Sequence, residues 1–270
     1  MLEIVQRVAQ SGRGLDWLSG PPIAHRGLHD ASSGAPENTI RAFGAAIARG
    51  LPIECDVMLT ADNEVIVFHD HKLARLTGIP GEVNRMTLRD LQRLRIKSTD
   101  EQAPSLVETL DFVGGRVPLL VELKSQRRPG ALEVGVLRAL RAYQGPVAVQ
   151  SFSPHSMHWF RENAPEIPRG QLSGSYRWER HPGAITRWAY RHLLMLGISR
   201  PDFVAHEVSC LELPAVRLWR RFGGPLLAWT AKTATAYAAA KRVADGVIFE
   251  GFDPLPTLAM PDASPLLRTA

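Results

Sequence analysis

Leu51-Pro52-Ile53-Glu54-Cys55-Asp56-Val57 is the stretch on which the reading of this chain turns. In an extended strand, side chains two positions apart share a face. Glu54 and Asp56 therefore project together, while Cys55 and Val57 turn the opposite way, into packing. Adjacent carboxylates repel, and holding them within an apolar strand without a counter-charge is costly. A divalent cation relieves that cost, and hard cations such as Mg2+ or Ca2+ take oxygen ligands. The stretch lies between Ile23-Ala24-His25-Arg26-Gly27 and Val67-Phe68-His69-Asp70, so a histidine closes an apolar run on either side.

Outward from it, the chain alternates. Pro21-Pro22 sets a strand at Ile23 to His25. Pro36-Glu37-Asn38-Thr39 reads as a helix start, with Asn38 or Thr39 as the cap. Ile40, Phe43 and Ile47 follow at helical spacing before Gly50, and Leu51 to Val57 is the next strand. Strand, helix, strand is the unit of a parallel sheet. After the apolar run Val65 to Phe68, residues 71–104 break the pattern, with one helix expected over Thr87 to Arg95. They read as an inserted segment covering one end of the fold.

The alternation then resumes. Helices are expected at Ser105–Val113, Gly130–Tyr143, Pro154–Asn163, Pro182–Ile198, Leu213–Phe222 and Thr233–Val243. Strands end at His25, Val57, Lys124, Phe152, Leu172, Glu207, Thr230 and Glu250. Eight strand–helix units in a chain of 270 residues predict an α/β fold, a (β/α)8 TIM barrel over residues 21–256 with a small inserted segment after the second strand. Residues 1–20 read as an N-terminal extension with a short helix, and 257–270 as an irregular tail. An open doubly wound sheet would carry a Gly-rich phosphate loop after its first strand, and none is present.

Composition narrows the class. At 45% hydrophobic, the chain can bury a barrel-sized core. A formal charge of +5 without any run of five like charges argues against a nucleic-acid arm and suits an anionic substrate. Cys55 and Cys210 are isolated, which fits a reducing compartment. The opening residues fit neither a signal peptide nor a membrane span. The expectation is a cytoplasmic protein that acts on a small molecule, with no nucleic-acid partner and no membrane contact expected; oligomeric state is unassigned.

In such barrels, reacting groups collect at the carboxyl ends of the strands. Within Leu119-Leu120-Val121-Glu122-Leu123-Lys124, Glu122 and Lys124 share a face. Glu122 is the natural third oxygen ligand beside Glu54 and Asp56. Lys124 would supply charge to an anionic group, and Arg26 could pair bidentately with phosphate. His25 and His69 are the candidates for proton transfer, and Asp70 would orient His69 or cap a turn. The combination suggests phosphoester hydrolysis with a cation to neutralise oxygen charge.

His25-Arg26-Gly27, Pro36-Glu37-Asn38-Thr39, Glu54-x-Asp56-Val57, His69-Asp70 and Glu122-x-Lys124, in this order, resemble the glycerophosphodiester phosphodiesterase family. Ser151-Phe152-Ser153 and Trp229-Thr230 extend the likeness, which runs from about Pro21 to Pro254. The resemblance implies a barrel with a small insertion and metal-dependent hydrolysis of glycerophosphodiesters to glycerol 3-phosphate and an alcohol. It further implies Glu54, Asp56 and Glu122 as metal ligands for Mg2+ or Ca2+, and His25 and His69 as acid and base. Arg26 and Lys124 would hold the phosphate, with Trp229 against the substrate. It implies attack by the substrate's own hydroxyl, then opening of a cyclic phosphate by water.

Two departures bear on substrate preference. Ala231-Lys232 stands where relatives commonly have Asn, and Phe249-Glu250 where they often have Thr-Asp. His206 and the Trp178, Trp188, Tyr190 region are further candidates for the leaving-group side, although packing explains that region better. The alternative readings are lysophospholipase D-type hydrolysis at a membrane surface, with Arg187 to His192 as the contact, and a phosphate-binding barrel without turnover.

Overall fold

The computed structural model describes residues 14–125, 128–175 and 183–255. The first strand, β1 (Ile23–Ala24), leads through a turn to α1 (Ile40–Ala48) and β2 (Ile53–Leu59). β3 (Val65–Val67) folds back antiparallel on β2. The inserted segment holds the short helices α2 (Ala74–Thr77) and α3 (Leu88–Leu91). Regular alternation follows: α4 (Leu106–Val113), β4 (Leu119–Leu123), α5 (Ala131–Leu140), β5 (Val147–Ser151), α6 (Pro154–Asn163) and β6 (Arg169–Ser173). Then come α7 (Ala184–Arg191), α8 (Leu196–Ser199), β7 (Phe203–Glu207), α9 (Pro214–Arg221), β8 (Leu226–Ala231), α10 (Ala234–Lys241) and β9 (Gly246–Phe249).

The strands run in the order β1-β9-β8-β7-β6-β5-β4-β2, and β1 pairs with β2 to close the ring, with β3 appended outside it. This is the eight-stranded parallel (β/α)8 barrel. Alternation along each strand divides the core in two. Ile23, Leu120, Ala148, Leu172, Phe203, Ala205, Leu227 and Ile248 meet inside the barrel, with Leu18 below them. Ala24, Ile53, Cys55, Val57, Val121, Val149, Val204, Leu226 and Val247 point outward and pack against the helices. Charged inward positions lie one step beyond the apolar layer, towards the carboxyl ends. This ordering puts a polar site on an apolar floor.

Local chemistry sets the helix starts. Thr39 caps α1 by accepting from the Ala42 amide at 3.3 Å, so of the two expected caps it is Thr39 that serves. At α4, Ser105 and Glu108 form a reciprocal capping box. Residues 71–104 carry their own small core: Leu73, Leu76, Val83, Leu91 and Ile96 pack on Met58, Ile66 and Phe68.

Three expectations need correction. The single helix over Pro182–Ile198 is two, because Leu193 adopts φ 60°, which an α-helix cannot continue. Pro182, like Trp178, lies outside the described residues, as do the helix expected before Gly14 and the tail 257–270. The helix over Thr87–Arg95 shrinks to Leu88–Leu91. The run at Val65 adds a ninth strand to the sheet, outside the ring. No helix among the described residues is long and apolar enough to cross a membrane.

Candidate active site

The turn after β1 is built around Gly27. Arg26 has φ 56° and Gly27 φ 81°, and a Cβ on Gly27 would lie 2.9 Å from the Ala42 carbonyl carbon of α1. Only glycine tolerates both demands. The turn aims the Arg26 amide at Glu54 Oε2, to which it donates at 3.1 Å. Asn38, also left-handed at φ 58°, donates from Nδ2 to Asp56 Oδ2 at 2.9 Å. The positions expected to begin a helix therefore also fix a carboxylate.

Asp56 on β2 stands opposite Glu122 on β4. Glu54, Asp56 and Glu122 are all buried, and each offers an oxygen within 4.8 Å of the others. Burial raises the Glu54 carboxyl well above its ordinary range, and the neighbouring Asp56 and Glu122 charges add to the rise. Burial also raises Glu122, against the opposing pull of Lys124. Asp56 is buried too, but the charges of Lys124, His69 and Arg26 hold it well below. Lys124 Nζ lies 2.9 Å from Asp56 Oδ1 and 2.5 Å from Glu122 Oε1. Arg26 Nε is 3.2 Å from Asp56 Oδ2, and its Nη1 is 2.5 Å from Glu37 Oε1. Both cations expected at the phosphate are thus engaged by carboxylates.

Each imidazole is held from behind. His25 Nδ1 is 2.5 Å from Glu250 Oε2, and its Nε2 is 3.9 Å from Glu54 Oε2. Burial lowers the His25 pKa, against the hydrogen bond that His25 donates to Glu250. His69 Nδ1 is 2.5 Å from Asp70 Oδ1, so Asp70 orients the ring. Arg75 joins Asp70 to Glu37, with Nε 2.5 Å from Asp70 Oδ2 and Nη1 2.7 Å from Glu37 Oε2. A carboxylate on Nδ1 fixes the tautomer that leaves Nε2 free for proton transfer.

These groups line a cavity of about 840 Å³ at the carboxyl ends of the strands, bordered by His25, Arg26, Glu54, His69, Glu122, Lys124 and Trp229. Asp56 lies beneath, fully buried. Trp229 donates from its indole to the carbonyls of Ala205 at 3.0 Å and Ser173 at 3.2 Å. Its ring meets Phe152 edge-on at 5.5 Å, forming an apolar wall. His206 does not reach the cavity: it is fully buried, and its Nε2 donates to the Arg191 carbonyl at 3.2 Å. It sits off the inward parity of β7 that Phe203, Ala205 and Glu207 share.

Sequence reasoning named Glu250 only as a departure bearing on substrate preference, and gave Glu37 and Arg75 no role in the site. Glu250 had a readable cue, since it continues the inward parity of Ile248. Lys232 Nζ lies 2.6 Å from Glu250 Oε1, so the two departures from the family pattern are one contact. His29 Nε2 stands 3.6 Å from the same carboxylate.

The glycerophosphoryl diester phosphodiesterase family model matches residues 25–253. A glycerophosphodiester phosphodiesterase of Caldanaerobacter subterraneus subsp. tengcongensis is 34% identical over 162 residues, 56% of this chain and 65% of that protein. The chain thus spans just under two thirds of the length of that curated relative. An Oleispira antarctica phosphodiesterase, solved in complex with the product sn-glycerol-3-phosphate, shares the fold at TM-score 0.72 and 24% identity, covering 87% of this chain and 94% of that one. A Thermotoga maritima glycerophosphodiester phosphodiesterase superposes at TM-score 0.66 with 26% identity, covering 85% and 94%.

Proposed function

This chain belongs to the glycerophosphoryl diester phosphodiesterase family, and on that premise we propose that it hydrolyses glycerophosphodiesters to glycerol 3-phosphate and an alcohol with the help of a divalent cation. The observation that carries the proposal is convergence: two carboxylate-held imidazoles, Glu54 and Glu122 border one cavity, and Asp56 lies buried beneath it within reach of both acids.

Glu54, Asp56 and Glu122 would hold Mg2+ or Ca2+. The donor set is all oxygen, as hard cations require, and Glu54 Oε1 is buried with no hydrogen-bond partner among the described residues. When bound, the cation supplies positive charge to the phosphate oxygens. Lys124 and Arg26 are the cations nearest these acids and would share their charge with the phosphate. Trp229 would pack against the organic part of the substrate.

The glycerol hydroxyl beside the phosphate attacks phosphorus, and one imidazole takes its proton. The P–O bond to the alcohol breaks, and the other imidazole, protonated, gives its proton to the leaving oxygen. Water then opens the cyclic phosphate with the two roles reversed, so both rings regain their starting states and one water is consumed. Glu250 and Asp70 stabilise whichever imidazolium forms in front of them. A cytoplasmic location belongs to the same proposal, supported by Cys55 and Cys210, both buried and free.

The experiment is hydrolysis of glycerophosphocholine and glycerophosphoethanolamine by the full chain. Turnover should vanish with a chelator and return with Mg2+ or Ca2+. His25→Ala and His69→Ala should each lose on the order of 10²–10⁴-fold in kcat with the fold intact. Metal-independent turnover, or full activity in either variant, would reject the assignment.

A further inference from the structure

The connection after β6 carries an apolar face that no described residue covers. Ile185 and Trp188 on α7 are 83% and 56% exposed, and Leu194 and Ile198 just beyond it are 55% and 38% exposed. A single exposed side chain of this size needs no explanation, but four within 14 residues do. Ile185 and Trp188 on α7 and His192 at its cap recur at helical spacing along one edge, and the Trp188 and His192 rings lie 5.1 Å apart, tilted at 39°. Ala189, Leu193 and Leu196 are buried and seat the segment on the barrel. Arg187 and Arg191, both half-buried, lie on the same helix, and residues 183–200 contain three arginines and no aspartate or glutamate.

We propose that this face docks the protein on an anionic phospholipid bilayer. Apolar and aromatic side chains on one edge with arginines beside them is the pattern of a helix lying in the membrane interface. With no acid in residues 183–200 to offset it, the arginine charge favours anionic headgroups, which a protein or second copy with a neutral apolar face would not use. The face is tied to the pocket end of the barrel. Ser173 Oγ, at the end of β6, donates to the Tyr190 carbonyl at 2.6 Å, and His206 Nε2 on β7 donates to the Arg191 carbonyl at 3.2 Å. Docking through α7 therefore sets the site that we assign to phosphodiester cleavage beside the lipid headgroups. The docking itself does not depend on that assignment.

Co-sedimentation of the full chain with vesicles tests it without reference to turnover. Wild-type protein should pellet with phosphatidylglycerol–phosphatidylcholine vesicles at low salt, and at least fivefold less with pure phosphatidylcholine or in 0.5 M NaCl. The Ile185→Ser/Trp188→Ser double variant should lose binding at least fivefold while keeping its circular dichroism and its activity on water-soluble diesters. Arg187→Gln, a milder change, should weaken binding to anionic vesicles alone. Absence of wild-type binding, equal binding to neutral vesicles, or full binding by the double variant would overturn the proposal. So would a wild-type dimer that the double variant converts to monomer without any lipid binding, since the face would then be an interface between two copies. Failure of diester hydrolysis would refute the proposed activity and leave the sedimentation result standing.

Discussion

Glu250 Oε2 sits 2.5 Å from Nδ1 of His25, although the two residues are 225 positions apart and directly follow the last and first strands of the barrel. They meet only because β9 pairs with β1 to close the ring. Lys232 holds the other oxygen of the same carboxylate at 2.6 Å. In the proposed mechanism Glu250 is a positioning residue with its own support.

Glu250→Gln keeps the shape but removes the charge that steadies an imidazolium at His25. Activity should fall by roughly 10–100-fold, the usual effect of removing a partner behind a functional histidine. The loss should appear in kcat more than in KM, because Glu250 acts through His25. Steady-state kinetics on one soluble diester measures it, and an unchanged kcat would remove Glu250 from the mechanism.

Glu54→Gln copies the protonated form that burial and the neighbouring acids favour. Without metal, its Tm should therefore stay close to that of the wild type. Ligand at a hundredfold excess over Kd stabilises by about 2.7 kcal/mol, roughly 5–10 °C in Tm for a chain of this size. Mg2+ or Ca2+ should produce that rise in the wild type and little of it in the variant, as thermal denaturation would report.

Glu37 gives a pH dependence of stability. Burial alone would raise its carboxyl, but the hydrogen bond from Arg75 and the charge of Arg26 bring it down to about 2. The folded value lies below the unfolded value, so the folded protein binds this proton less readily. Its stabilisation is present above about pH 4.3 and is lost as pH falls towards 2. Denaturant melts of wild type and Glu37→Gln should differ most at neutral pH and converge in acid. A gap that widened in acid would contradict the ion pairs with Arg26 and Arg75.

Gly27→Ala meets two obstacles at once, a φ of 81° and the α1 backbone 2.9 Å from the new Cβ. The cost should be about 1–3 kcal/mol, read as a lower midpoint in urea. The Arg26 amide would also leave Glu54, so activity should fall further than stability alone predicts.

Much of this could be read from the chain because a barrel strand repeats every two residues. Glu54 and Asp56, then Glu122 and Lys124, follow the parity of the apolar layer beneath them, and the structure places all four at one end. The same rule, applied to β7, puts His206 outside the cavity, and applied to β9 it points Glu250 inward. His69 obeys no such rule, since it follows β3, which lies outside the ring. The break in the expected 182–198 helix had no cue either, because Leu193 is an ordinary helix former in an unusual conformation.

The order of residues by itself settled the alternating units, the inward and outward faces, and the identity of the acids that share a surface, because those depend on local periodicity and burial. Which cation answers which carboxylate was decided only in three dimensions. Arg26 turns to Asp56 and Glu37, Arg75 ties Glu37 to Asp70, and Glu250 reaches His25, because closing the ring and folding the insertion against it bring together charges that no spacing along the chain relates.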